Sequence, residues 1–274
     1  MTKKWVLAKN VVTKDPLTWI RTMASLGTTT FRADRGLVVK GNRRRPAKKL
    51  ELYDAEYCPY CRHVREALTE LDLDAMIYPV PKGGKRYVPR LKKLGGEASI
   101  PFLHDPNTET KLYDASAIVE YLYEQYALEG EEVPSLNIFT STLASLTRAG
   151  SFTSLTAGKN GMYAKPSKAA SKPLEVYSFE ASPYSRPARE VLCELEIKYL
   201  LHNVGKTAGQ HADYYIPEIR SEHMRNYMPG TENRRKMLKR AGKIMMPYII
   251  DPNTGIDMWE VRDIKAYLRE TYGA

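Results

Sequence analysis

The 274-residue chain carries 42 Lys and Arg against 32 Asp and Glu, a net charge of +10, with 43% hydrophobic residues and three cysteines. That length suits two domains of ordinary size. Three cysteines exclude a disulfide framework and fit a reducing compartment, where a Cys-x-x-Cys pair is catalytic or metal-binding.

The charge is unevenly placed. Residues 1–50 hold 13 Lys and Arg against 2 Asp and Glu, while residues 51–274 are nearly balanced at 29 against 30. The excess centres on Arg43-Arg44-Arg45 and Lys48-Lys49. Such a run reads either as an arm for nucleic acid or a membrane surface, or as a solvated or organelle-targeting leader. The second reading is favoured, since charge runs are usually solvated. Residues 1–15 lack the apolar core of a secretory signal, which argues against export. Thr22–Leu26 is echoed by Thr142–Leu146 at an offset of 120, so each unit is expected to open with a leading helical segment.

The first unit spans residues 50–127, after a basic leader over 1–49. Leu50–Asp54 alternates as a strand. Tyr60–Leu71 places Val64, Ala67, Leu68 and Leu71 on one helical face. Asp74–Val80 is a second strand, and Tyr87–Leu94 a helix closed by Gly95-Gly96. Phe102–His104 and Lys111–Tyr113 form a hairpin around Asp105-Pro106-Asn107-Thr108. Asp114–Tyr126 is the last helix, giving the order βαβαββα. Residues 128–173 read as a linker, with a short docking helix over Leu136–Leu146 and a surface loop rich in Gly, Ser and Lys over 150–173.

The second unit, residues 174–274, repeats the first. LELYDAEYCPYCRHVREALTEL (50–71) and LEVYSFEASPYSRPAREVLCEL (174–195) are identical at 12 of 22 positions, with Ser182 and Ser185 replacing both cysteines. Ile100-Pro101-Phe102 and Met246-Pro247-Tyr248 then correspond, each followed by Asp-Pro-Asn-Thr. The offset grows from 124 to 146, so 22 extra residues lie within about 205–243. They carry Arg220, Arg225, Arg234, Arg235, Lys236, Lys239 and Arg240. An exposed loop and helix is favoured over a surface for an anionic partner. The 19 tyrosines could serve single-stranded nucleic acid, but strand and helix positions explain most of them, and nucleic-acid binding is disfavoured. The apolar runs, such as Ile244–Ile250, are strand-sized and hold proline, so no membrane span is expected.

A strand that ends just before Cys58-Pro59-Tyr60-Cys61, with a helix opening there, has a chemical use. Backbone N–H groups and the helix dipole stabilise a thiolate at the helix N-terminus. Pro59 has no N–H to lose in that first turn. Cys58 is therefore the expected nucleophile and Cys61 the resolving thiol. Structural zinc needs a second pair of ligands, which the chain lacks, and no metal is expected. Serine has no accessible anion near neutral pH, so Ser182 is read as a helix N-cap and the second unit as redox-inactive. Cys193, among Val191, Leu192 and Leu195, is read as an inert buried thiol.

These features resemble the glutaredoxins and the N-terminal, thioredoxin-fold domain of glutathione transferases. The motif, the Ile-Pro before a hairpin and the Tyr-Asp…Ile…Tyr-Leu last helix carry the resemblance over about 50–126 and 174–272. The tandem arrangement resembles the paired proteins of this family in plastids and photosynthetic microbes. It implies an α/β fold of two tandem thioredoxin-like domains, each a four-stranded mixed sheet flanked by helices, arranged as an internal pseudo-dimer. It also implies glutathione as co-substrate, with a cis bond at Ile100-Pro101 whose backbone pairs with the cysteinyl part, Tyr60 flanking the thiol, and Asp114 with Ser116 near the γ-glutamyl group. The family's acidic-Ser pair here reads Asp114-Ala115, with serine one place late. The lysine often found three residues before the first cysteine is Ala55, followed by acidic Glu56, which predicts a weaker glutathione site.

The expected activity is glutathione-linked thiol-disulfide oxidoreduction on protein or low-molecular-weight disulfides, in the cytoplasm or plastid stroma. Conjugation is disfavoured because no all-helical domain follows the first unit. The alternative is a non-enzymatic scaffold or binding protein. Iron–sulfur binding is disfavoured by Pro59 and Tyr60, since its usual setting is one cysteine with small neighbours.

Overall fold

The computed structural model describes residues 35–39, 44–134, 161–207 and 229–274. The Thr22–Leu26 echo, the Leu136–Leu146 helix, Arg43, Arg220 and Arg225 lie outside them.

The first unit comprises β2 (Leu50–Asp54), α1 (Pro59–Glu70), β3 (Ala75–Pro79), α2 (Val88–Gly95), β4 (Phe102–Asp105), β5 (Thr110–Tyr113) and α3 (Ala115–Tyr126), preceded by β1 (Val38–Val39). The second comprises β6 (Leu174–Ser178), α4 (Arg186–Glu194), β7 (Tyr199–Asn203), β8 (Lys206–Thr207), α5 (Glu232–Ala241), β9 (Tyr248–Asp251), β10 (Ile256–Met258) and α6 (Val261–Tyr272). Each is the expected βαβαββα unit, with β8 added in the second.

The period-two alternation of a strand divides the core. Leu50, Leu52, Ala75 and Ile77 face α1 and α3, while Tyr53, Tyr78 and Phe102 face Leu91 of α2. Gly96, at φ 90, closes α2 in the left-handed conformation that glycine adopts without strain. The repeated Asp-Pro-Asn-Thr turn has a structural task. The Asp105 carboxylate accepts the Asn107 N–H and the hydroxyls of Tyr121 and Tyr126, and the Asn107 amide oxygen accepts the Lys48 N–H ahead of β2. Asp251, Tyr267, Tyr272, Asn253 and Lys172 repeat all of these bonds.

The two units share one sheet. Its strand order is β10-β9-β6-β7-β3-β2-β4-β5. The joint is antiparallel, with Ala75 opposite Leu201, Met76 opposite Leu200 and Ile77 opposite Tyr199. Each unit thereby covers the other's edge strand, whose backbone groups would otherwise template aggregation. One hydrophobic cluster runs beneath both units, from Leu50 and Leu68 to Leu174 and Leu192.

The segments that precede the two units lie along this seam. β1 pairs in parallel with β8 of the second unit, and the Lys206 N–H donates to the Leu37 carbonyl. In the same way the Lys82 N–H of the first unit donates to the Met162 carbonyl, and the Ala164 N–H returns to Lys82. Gly36 and Gly161, at φ 71 and 68, each donate their N–H to a helix carboxylate, Glu70 and Glu194 respectively. The end of the expected surface loop over 150–173 is therefore docked, because its backbone completes a ladder with the first unit.

Most of the described basic positions are exposed, as expected of solvated charge: Arg44, Arg45, Lys48 and Lys49 ahead of β2, and Arg235, Lys236, Lys239 and Arg240 on α5. Some also form ion pairs, and Arg234 departs from the pattern. Arg45 pairs with Asp72, and Lys49 Nζ lies 2.8 Å from Asp74. Arg234 is fully buried and donates to the carbonyls of Val204 and Gly205. Its guanidinium closes the backbone after β7, a use that composition does not reveal. Among the described residues, no helix is long and apolar enough to cross a membrane.

Candidate functional site

Strand β2 delivers the chain to Cys58, whose N–H donates to the Ala55 carbonyl. Cys58 caps α1 and Pro59 begins it. The Cys61 N–H, freed at the first turn, donates to Cys58 Sγ at 3.3 Å. The Cys61 thiol hydrogen, the Cys61 and Tyr60 amides and the Arg65 guanidinium hold the Cys58 thiol down to about 7, against the upward push of burial. Cys61 is fully buried, and burial followed by its hydrogen bond to Cys58 pushes its thiol well up. The two thiols are thus set apart, Cys58 lowered and Cys61 raised.

Tyr53 pairs with Phe102, which sets Ile100 and Pro101 beside the turn leading from β2 to Cys58. The Ile100–Pro101 bond is cis, as is Met246–Pro247 in the second unit. Ile100 packs on the buried cluster that contains Cys58 and Cys61. Tyr60 stands on the first turn of α1 with 58% of its surface exposed. Asp114 and Ser116 lie outside this cluster, exposed at the start of α3. The Asp114 carboxylate accepts the N–H groups of Ser116 and Ala117 at 2.9 and 3.1 Å. Asp114 and its counterpart Glu260 both adopt positive φ, 70 and 65, which is uncommon outside glycine.

Three features escape the sequence reading. Cys193 of the second unit belongs to the same buried cluster as Cys58 and Cys61, and its Sγ lies 3.3 Å from the Gly161 carbonyl. Burial pushes its thiol well above the ordinary range. Glu56 is not a free charge beside the thiolate. It is buried and receives Arg189 of the second unit at 3.0 and 3.2 Å. Burial opposes its ionisation, but Arg189 and Arg65 outweigh that and hold it down to about 2. The cation acting on Cys58 is Arg65; Arg62 is committed to Glu66 at 3.0 Å. The signal for this arrangement is the repetition of Glu56 and Arg65 as Glu180 and Arg189.

In the second unit Ser182 Oγ accepts the Ser185 N–H at 3.2 Å and the Ser185 hydroxyl at 2.8 Å. This mirrors the cysteine pair, although α4 opens only at Arg186. Ser182 is therefore not the N-cap expected of it: that position falls to Ser185, which makes no side-chain capping bond, and Ser182 instead holds the turn ahead of the helix. Among the described residues, no group of three or more His, Cys, Asp or Glu could hold a metal ion.

Comparison with known proteins matches the glutathione S-transferase N-terminal domain family over residues 52–131 and again over 176–274. A solved glutathione transferase from Bombyx mori, in complex with GTT, is 22% identical over 39% of this chain, with a TM-score of 0.30. The match spans 50% of that transferase. No curated protein matches the chain.

Proposed function

The chain belongs to the glutathione S-transferase N-terminal domain family, present here in two copies, and from that premise we propose that it is a glutathione-linked thiol-disulfide oxidoreductase. Cys58 is the nucleophile, Cys61 the resolving thiol, and the second unit supplies structure rather than redox chemistry.

The observation that carries this reading is the state of Cys58. Its sulfur sits at the N-terminus of α1, accepts the Cys61 N–H at 3.3 Å and titrates near 7. A substantial thiolate fraction near neutral pH is what disulfide exchange requires. The thiolate attacks one sulfur of a disulfide, a mixed disulfide forms at Cys58, and the other half leaves as a thiolate that takes a proton from solvent. Cys61 then attacks the Cys58 sulfur, or glutathione attacks the other sulfur of the mixed disulfide and frees the Cys58 thiolate. The first route leaves a Cys58–Cys61 disulfide, which two glutathione molecules reduce to regenerate the dithiol. The second route yields glutathione disulfide when the mixed disulfide is with glutathione.

Glutathione is placed along Ile100 and Pro101, with Tyr60 at the open side of the thiol and Asp114 with Ser116 at the α3 N-terminus, where N–H groups and the dipole favour a carboxylate. The Asp114 carboxylate already caps α3, so the γ-glutamyl end gains little from it, and modest affinity is expected. A reducing compartment suits the chemistry.

The test is to trap the intermediate. Full-length Cys61→Ser protein treated with glutathione disulfide should gain one glutathione at Cys58, found by peptide mass mapping. Absence of any adduct on Cys58 would favour the non-enzymatic scaffold instead.

A further inference from the structure

Arg65 ties the turn before Cys58 to the second unit. It follows Cys58 and Cys61 on α1 at spacings of seven and four residues, which set all three on one helix face. The guanidinium is buried and engages the carboxylates on both sides of Ala55. One terminal nitrogen pairs with Asp54, and the other lies 3.5 Å from Glu56. Ala55 itself packs in the cluster of Cys58 and Cys61, and its carbonyl accepts the Cys58 N–H. The third carboxylate comes from across the joint: Glu180 meets Arg65 at 2.9 and 3.3 Å. Arg189, the counterpart in the second unit, meets Glu56 and Glu180, but the hydroxyl of Ser178 where Arg65 has Asp54.

The other charged groups around this face have partners of their own. Arg62 and His63 face Glu66 on α1, with Arg62 also 3.8 Å from Glu180, and Arg186 faces Glu190 on α4. Burial, foremost, pushes Tyr57 up to about 12 and the Cys61 and Cys193 thiols well up. Burial also pushes Asp54 up to about 6 against the pull of Arg65, so Asp54 is largely charged where Cys58 titrates.

We propose that Glu180 of the second unit is a positioning residue for Cys58: it engages the Arg65 guanidinium across the joint and limits the positive charge presented to the Cys58 sulfur. The role rests on the redox reading above and adds a regulation of that site. A thiolate loses nucleophilicity as its thiol becomes more acidic, and attack is best served by a thiol that titrates near the ambient pH. An Arg65 left unrestrained would give more thiolate but a weaker one. The second unit, without redox chemistry of its own, thereby keeps Cys58 in the useful range.

The experiment follows iodoacetamide alkylation of Cys58 against pH in full-length protein, mapped by mass spectrometry; it reads the thiol without any redox activity. In Glu180→Gln the midpoint should fall by about 0.5–1 pH unit from the wild-type value. Glu180→Asp keeps the charge and should stay close to wild type. Asp54→Ser, which gives the first unit the residue of the second, should also lower the midpoint. Above all these midpoints, the single-turnover rate of Glu180→Gln with glutathione disulfide should drop about two- to threefold. Disruption of the fold would act in the opposite direction, moving the midpoint toward 9.0 and opening Cys61 and Cys193 to the reagent. A Glu180→Gln protein that labels there is measured again with trimethylamine N-oxide, which favours the folded state. A midpoint at or above the wild-type value, with Cys61 and Cys193 still shielded, overturns the role of Glu180 alone. A lowered midpoint with no reaction between Cys58 and glutathione disulfide in either protein overturns the redox reading, and with it any part of Glu180 in the reaction.

Discussion

Arg65 of the first unit and Glu180 of the second form a buried, two-point ion pair, Nε to Oε2 at 2.9 Å and a terminal nitrogen to Oε1 at 3.3 Å. Arg189 and Glu56 repeat it with the units exchanged, at 3.2 and 3.0 Å. One internal duplication has therefore produced a reciprocal lock, and its Glu56 lies two residues before Cys58.

Breaking one side of that lock leaves a buried guanidinium with an incomplete set of partners. Glu180→Gln should cost about 3–5 kcal/mol of stability, read as a lower midpoint in urea denaturation. Glu56→Gln should cost a similar amount because Arg189 faces both carboxylates. A loss below about 0.5 kcal/mol, the scale of ordinary surface changes, would contradict the buried geometry.

The thiols should separate by reactivity. Alkylation of Cys58 should rise with pH around about 7, below the ordinary thiol value of 9.0. Cys61 and Cys193, both buried and pushed well up, should label only after denaturation. Labelling of all three at equal rates in the native protein would contradict the division.

The joint between units should respond to pH through His202. Its Nδ1 lies 3.1 Å from Asp74 across the joint and its Nε2 3.0 Å from Glu175. Burial opposes the imidazolium, but these hydrogen bonds outweigh it and raise the pKa above 6.5. Asp74 moves the other way. Burial is again opposed, here by His202 and Lys49, and its carboxyl falls below 3.8. The raised histidine contributes fully below 6.5 and less as pH rises through its folded value. The lowered aspartate contributes above 3.8 and less as pH falls. The pair's stabilisation is therefore largest between those two values. Wild-type stability should decline on the alkaline side of this window, and His202→Gln should flatten that decline. Identical pH profiles would remove the pair from the account.

Gly161 tests the docked segment. It has φ 68, and an added Cβ would lie 3.1 Å from Glu56 Cβ and 3.2 Å from Glu190 Cα. Gly161→Ala should cost about 1–3 kcal/mol. It should also speed proteolysis near the following residues, detected by limited digestion. Unchanged stability and digestion would mean that the segment does not depend on this contact.

Much of the fold is legible in the sequence because each unit is built from local signals. Alternation in Leu50–Asp54, the Pro59 helix start, the Gly96 stop and the Asp105 turn each act within a few residues. The duplication then carries the first unit's reading to the second. The joint is different: Ala75–Ile77 meeting Tyr199–Leu201 is a choice of register between distant edges, and neither strand alone carries it. The buried lock had a visible trace in the repeated Glu and Arg, yet a repeated charge reads equally as a solvated helix face. At the site, the motif names Cys58 and Cys61. Cys193 reaches it only through tertiary packing, so no spacing rule points to it.

The most direct test of the central claim is glutathione-coupled reduction of a mixed-disulfide substrate, with wild type beside Cys58→Ser. The account predicts turnover in the wild type that disappears in the variant. Equal rates in the two proteins, or no turnover in either, would contradict it.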